Sequence, residues 1–444
     1  MRMKKPAYLP LVLLLALSVL GVLMPAVPKT IVTEGLDTGD TAWMLVATAL
    51  VLLMTPGLAY FYGGMVNNKN VISTMLQSFI AMGVISVLWV TVGFSLAFGE
   101  SIGGFVGNPM TFFMFNGVLD GKPWELAATI PLVVFAFFQL KFAVITPALI
   151  TGSMAERINF RSYVLFMILF SIFVYAPLAH WTWHPQGFLF NLGVLDFAGG
   201  TVVHMSAGWA ALAGAIYLKR RKSHVGAEFF PPANIPFVLL GTGLLWFGWF
   251  GFNAGSAVGA SALAASAFAT TNTAAAAAGL AWVLFDAAKG KKVSALGFCI
   301  GAVVGLVAIT PAAGFVTVPT SIFIGTVAAI ISNFVAHLRT KSTLDDTLDV
   351  FPCHGVGGMV GMLMTGIFAS KGVNAAVADE GLAFGETKLF LTHLLALVLV
   401  SAFAFGMSYL LLVVTNAIEP LRVKEDDEKV GLDVSQHDEF LIDA

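Results

Sequence analysis

The chain has 444 residues, 58% of them hydrophobic and only 11% charged, with a formal net charge of −2. Soluble globular proteins carry roughly 25% charged residues, so the composition argues against a water-soluble enzyme, and its scattered basic residues argue against nucleic-acid binding. Apolar runs of about 20 residues, long enough to cross a hydrocarbon layer roughly 30 Å thick, recur along the chain and predict an all-α polytopic membrane protein.

In chain order, residues 1–27 come first. Arg2, Lys4 and Lys5 precede an apolar run from Leu9 to Met24, and Pro25-Ala26-Val27-Pro28 follow. A charged start before an apolar stretch reads as an export signal; a retained N-terminal hydrophobic helix is the alternative. Residues 28–416 hold eleven expected spans, near 42–63, 71–98, 127–152, 162–182, 199–218, 235–256, 262–288, 295–313, 319–338, 350–369 and 389–415. A polar tail, 417–444, ends the chain. One alternate set of loops, with the tail, holds fifteen Lys and Arg residues, among them Lys69, Arg157, the 219–222 run and Lys429. The opposite set holds only Lys29, Lys122, Lys371 and Lys388. By the positive-inside rule the first core span starts outside and the tail is cytoplasmic, as an odd number of spans requires. The 219–222 run reads as part of that orientation signal. Gly297, Gly301 and Gly305, and Gly357 with Gly361, have the spacing that lets helices touch closely.

Ionisable residues inside spans are costly and point to function. Lys141, His204 and His354 lie in spans three, five and ten. His204 follows Asp196 and His354 follows Asp349; each shares its helix with glycines, and 150 positions separate the two histidines. Spans five and ten would close two five-helix halves. An odd number of spans per half inserts the halves in opposite senses, so equivalent helices meet near the midplane. Facing imidazoles there could share a proton, one ring donating and the other accepting. Two unrelated buried histidines, each bonded to a backbone carbonyl, fit the spacing equally well. His180, His184, His337 and His393 have no echoing motif.

Aromatic residues form a second group. Phe138 and Phe142 are one helical turn apart on a shared face. Trp183 ends span four on the outer side, where span six also ends with Trp249, Phe252 and Ser256. These are either belt residues at the membrane interface or ring faces that, with a hydroxyl, hold a small cation. No nucleophile, phosphate-loop or dinucleotide pattern is present. Cys299 and Cys353 sit in apolar runs unlike a disulfide or zinc framework. No enzyme activity, cofactor or metal is expected.

Several long motifs resemble one family. They are Asp40-Thr-Ala-Trp-Met through Met54-Thr-Pro-Gly-Leu-Ala-Tyr-Phe-Tyr-Gly-Gly-Met-Val-Asn-Asn-Lys-Asn70, Asp196-Phe-Ala-Gly-Gly-Thr-Val-Val-His204, Gly248-Trp-Phe-Gly-Phe-Asn-Ala-Gly-Ser256 and Asp349-Val-Phe-Pro-Cys-His354-Gly-Val-Gly-Gly358. Together, in this order, they resemble the ammonium transporter (Amt/Mep/Rh) family, on its Amt branch, from about residue 40 to the tail. The resemblance implies a plasma-membrane homotrimer with eleven helices per subunit, an inverted 5+5 repeat plus a final helix, and one pore in each subunit. It implies that Trp183, Phe142 and Ser256 form an external ammonium site with Phe138 at its rim. Phe142 and Phe252 then close the pore mouth, His204 and His354 are paired pore histidines, and Asp196 supports the outer site. Lys141 departs from the pattern, standing beside Phe142 where a neutral residue is expected. The tail's Gly431-Leu432-Asp433 resembles the family's element, which implies a P-II-type regulatory protein at the cytoplasmic face, but Val430 stands where an acidic residue is common.

Ammonium and potassium are similar in size and charge, so an aromatic cage separates them poorly. Ammonium alone has N–H donors and a proton to lose. The reading is recruitment as ammonium (methylammonium as analogue), deprotonation near the phenylalanine gate, and passage of ammonia through an apolar lumen where a bare charge is costly. Rival readings are an ammonium sensor signalling through a separate partner, and a general gas or water channel.

Overall fold

The computed structural model describes residues 8–24, 26–28, 30–31, 34–225 and 231–441. The charged start, Arg2, Lys4 and Lys5, with Pro25 and Lys29, lies outside the described residues. Leu9–Leu23 is an apolar helix that buries none of its side chains.

Among the described residues ten helices are long and apolar enough to cross a membrane: Thr38–Met65, Asn68–Phe98, Leu132–Met154, Phe160–Asn191, Gly200–Leu218, Ile235–Gly255, Ala262–Ala288, Val318–Thr340, Phe351–Phe368 and Lys388–Ile418. The expected span at 295–313 is shorter, a 15-residue helix, Ala295–Ile309. Thr310 keeps helical backbone angles, but Pro311 has no N–H to continue the hydrogen-bond ladder. The chain then turns through Ala312 and Ala313, both fully buried, before Thr317 caps the next helix. The glycine spacing has the consequence expected of it. Gly301 faces Trp282 and the Ala278 carbonyl, Gly305 faces the Ala274 carbonyl, and Gly361 faces that of Ala308.

Two helices position the histidines. Helix 200–218 starts after Gly199, whose φ of +116° suits only glycine comfortably. Asp196 holds this start. Its carboxylate accepts the N–H groups of Gly199 (2.8 Å), Gly200 (2.6 Å) and Thr201 (2.7 Å) and the Thr201 hydroxyl (2.5 Å). Helix 351–368 repeats the device with Asp346, which accepts from Val350 N (3.1 Å) and Phe351 N (2.7 Å). The offset of 150 therefore holds for carboxylate, first N–H groups and histidine alike. Asp349, which the sequence pairs with Asp196, has another place. It accepts a fork of hydrogen bonds from Arg339, leaving Asp346 as the true counterpart. Both first turns are π-helical, Gly200–Met205 and Phe351–Val356, a widened geometry common at functional sites. The helices then cross at Gly208 and Gly355, so closely that a Cβ on Gly208 would overlap the Gly355 backbone.

On the face carrying most of the basic loops, the tail is stitched to the helix ends. Asp433 accepts from Ile72 N and Ser73 N, Leu432 N donates to Asn70, and Lys69 Nζ donates to the Lys429 carbonyl at 2.6 Å. Arg221, from the basic run, does more than orient the chain. It binds Glu156 at 2.6 Å and Asp345 at 2.9 Å, with 16% of its own side chain exposed and none of Asp345's. Burial raises the Asp345 carboxyl, but hydrogen bonds and charge from Arg221, aided by Arg157, outweigh it and hold the group well below the usual carboxylate range. A depressed folded pKa adds stability above the unfolded pKa, about 4, and that stability is lost as pH falls through the folded value. Arg221→Gln should therefore lower stability near neutrality by about 3 kcal/mol, since it removes the ion-pair partner of a buried carboxylate. Mild acid should narrow the gap to the parent protein. Thermal unfolding in detergent across pH measures both, and a pH-independent gap would contradict this account.

Candidate functional site: an outer cavity and a paired-histidine lumen

Phe138, Phe142, Trp183, Asp196 and Ser256, drawn from four separate stretches of chain, line one cavity of about 490 Å³. Phe138 and Phe142 meet edge to face at 4.9 Å, and Phe142 meets Trp183 likewise at 5.8 Å. The Trp183 indole donates to the Asp196 carbonyl at 3.0 Å, which fixes the ring. Ser256 Oγ donates to the Phe252 carbonyl at 2.8 Å, so its remaining lone pairs can accept N–H donors. Asp196 is 6% exposed, and both its oxygens are engaged by the start of helix 200–218. It is placed to organise the cavity rather than to ligate a cation directly.

Phe142 borders this cavity and Phe252 borders a second, deeper one. Their rings overlap at 4.2 Å with a 33° tilt, forming the partition between the two spaces. The deeper space, about 10 Å³, is lined by His204 and His354 among apolar side chains such as Leu58, Ile145, Val203 and Val303. His204 Nδ1 and His354 Nδ1 are 3.3 Å apart. Two facing nitrogens can bond only if one carries the proton, so a neutral pair leaves one acceptor and one donor at the outer ring atoms. His204 Nε2 is buried with no protein partner.

The sequence reading missed Trp249, treated there as one more aromatic at the mouth. It lies below the partition, stacked on His204 at 5.4 Å and 17°, and its indole donates to Thr310 at 2.9 Å. Its i,i+3 relation to Phe252 was the available signal. His393 and His180 lie outside both spaces, each held by two hydrogen bonds. His393 Nε2 accepts from Leu195 N, so Nδ1 donates to the Met362 carbonyl at 2.7 Å. His180 bridges Ser101 and the Ala97 carbonyl. Lys141 stays out of the cavity. Its ammonium lies 5.6 Å from the Phe137 ring. Lys141→Ser should leave ammonium affinity within about twofold in uptake assays, the scale of a distant surface change; a large gain would place the charge at the mouth instead.

Residues 42–441 match the model of the Ammonium Transporter Family. The chain is 47% identical over 406 residues to an ammonium transporter of Aquifex aeolicus, covering 91% of this chain and 93% of that one. It is 45% identical to a putative ammonium transporter of Methanothermobacter thermautotrophicus, covering 91% and 98%. The chain belongs to the Ammonium Transporter Family. Among solved structures of the family, Saccharomyces cerevisiae Mep2 superposes with a TM-score of 0.83 at 35% identity, covering 88% of this chain and 89% of that one. A protein described as a sensor Amt protein also superposes, with a TM-score of 0.80 at 30% identity over 90% and 98%. As a member of the family this chain is a multi-pass membrane protein of transporter type, not an enzyme.

Proposed function

We propose that the chain transports ammonium across the plasma membrane by binding it in the outer cavity and passing ammonia past the histidine pair. The observation that carries this reading is the order of parts: an aromatic cavity with a free acceptor, a two-ring partition, then an apolar space with two bonded imidazoles. Trp183, Phe142 and Ser256 hold ammonium through ring faces and one hydroxyl, with Phe138 at the rim. Crossing Phe142 and Phe252 as an ion would strip a charge of water in apolar surroundings, at a cost of several kcal/mol. Losing the proton first avoids that cost, a route closed to potassium. His204 and His354 then give the neutral solute hydrogen-bonding partners in the lumen. The released proton returns to the outer water in an electroneutral cycle or follows the imidazoles in an electrogenic one.

In this reading residues 1–27 are an export segment or anchor, 28–416 the transport domain and 417–444 a cytoplasmic tail. The short Ala295–Ile309 helix counts as the eighth of eleven in an inverted 5+5 repeat plus one, supported by the shared 150-residue offset. A homotrimer, and a P-II-type protein at the tail face, follow from the family resemblance.

The sensor alternative draws on the likeness to the sensor Amt protein. Purified protein in liposomes separates the two. Transport predicts saturable ammonium or methylammonium uptake above that of empty vesicles; binding without flux would favour the sensor.

A further inference from the structure

One polar side chain of the outer cavity has an oxygen without a partner. Gln139 sits on helix 132–154 between Phe138 and Phe142, and its side chain borders the cavity with Trp124, Phe135 and Ser256. It is 9% exposed, and its Oε1 is buried with no hydrogen-bond partner. An unpaired amide oxygen in such surroundings is costly, and proteins rarely leave one so without a use. Its aromatic neighbours offer none: Trp124 and Phe135 stack face to face at 5.4 Å and 11°, and a ring face has no donor for an amide oxygen.

We infer that Gln139 is a direct ligand of the transported cation, a second hydrogen-bond acceptor beside Ser256 in the outer cavity. The inference rests on the outer-site reading above and deepens it. Because Oε1 is buried, it meets an incoming N–H donor after a half-turn of the amide about its last torsion, which exchanges oxygen and nitrogen in nearly the same volume. The two acceptors have complementary settings. Ser256 Oγ is oriented by its own bond to the Phe252 carbonyl, whereas the Gln139 amide is held only by packing and can adapt. Together they reward a solute with several N–H groups pointing in different directions. Ammonium offers four. Methylammonium offers three, and its methyl group gains nothing from an amide oxygen.

The test compares Gln139→Leu, Gln139→Glu and Ser256→Ala in proteoliposomes, reading KM and Vmax for ammonium and for methylammonium. Gln139→Leu keeps the side-chain volume and removes the acceptor. It should raise the ammonium KM about tenfold, the effect of one hydrogen bond to a charged group, with Vmax nearly unchanged and a smaller rise for methylammonium. Gln139→Glu should lower the ammonium KM and serves as the second reading if the leucine variant does not fold. An unchanged KM in both Gln139 variants, with a raised KM in Ser256→Ala, would overturn the assignment while leaving the outer site intact. An unchanged KM in all three would overturn the outer site and Gln139 with it.

Discussion

Replacing His204 and His354 together with leucine should reduce selective ammonium flux by about tenfold or more while leaving the protein folded. The imidazoles meet at 3.3 Å in a space otherwise lined by apolar side chains, so removing both strands no polar partner of the pair. A solute crossing the leucine-lined lumen loses every hydrogen bond offered there, and each such bond is worth about 1 kcal/mol or more. The single variants should behave differently. Changing only His354 leaves His204 buried with both nitrogens unpaired, because its Nε2 already lacks a protein partner, so that variant should be less stable than the double one. Uptake of ammonium and potassium by proteoliposomes, with thermal unfolding as the control for folding, reads both effects. Normal saturable flux with selectivity against potassium intact would remove the histidines from the conduction path.

Asp196→Ala should destabilise the protein by several kcal/mol. The carboxylate satisfies three backbone N–H groups and one hydroxyl, all of them buried, and each donor left unpaired costs about 1–3 kcal/mol. Asn is milder, since its amide oxygen keeps part of the cap while its NH2 faces donors. Asp196→Asn should therefore fold with reduced stability and weakened uptake, because the same segment holds Trp183 through the Asp196 carbonyl. Asp346→Asn should lower stability in the same manner at the other end of the pair, where Asp346 caps the start of helix 351–368. Burial together with the charge of Asp349 raises the Asp346 carboxyl to about 6. A raised folded pKa takes stability away as pH rises from about 4 through that value, so the loss in Asp346→Asn should be largest in mild acid and smaller near neutrality. Melting temperatures in detergent and transport rates for the three variants check these outcomes. A parent-like melting temperature for Asp196→Ala would show that the cap does not hold the histidine helix in place.

Much of the site is legible in the amino-acid sequence because the chemistry is rare where it occurs. A histidine inside an apolar span is conspicuous, and two separated by 150 positions, each after an acidic residue and on a helix that carries glycines, point to one device used twice. The aromatic residues of the outer cavity are less legible. Phe138 and Phe142 share a face by spacing, but nothing in a linear pattern brings Ser256 or Trp183 to them; the family resemblance supplied that. Asp346 was passed over because Asp349 is nearer to His354. Only the hydrogen bonds reveal that the cap sits eight residues before each histidine, while Asp349 answers to Arg339. Trp249 was misjudged for a similar reason. Nearness to a span end suggests an interface belt, whereas the helix phase turns this ring inward against His204. The short Ala295–Ile309 helix escaped hydropathy because the buried turn after Pro311 is as apolar as a helix. Gln139 was overlooked because a single amide among phenylalanines has no periodic signature, and its lack of a partner is visible only in three dimensions.

In the proposed cycle the protein recruits ammonium, not ammonia, before anything enters the lumen. Initial uptake rates at one fixed ammonium concentration, at two pH values one unit apart, test it most directly, since free ammonia then differs about tenfold. Recruitment of the ion predicts nearly equal rates at the two pH values and saturation with ammonium. Rates that rise in step with ammonia, without saturating, would contradict it and mark the pore as a simple gas channel.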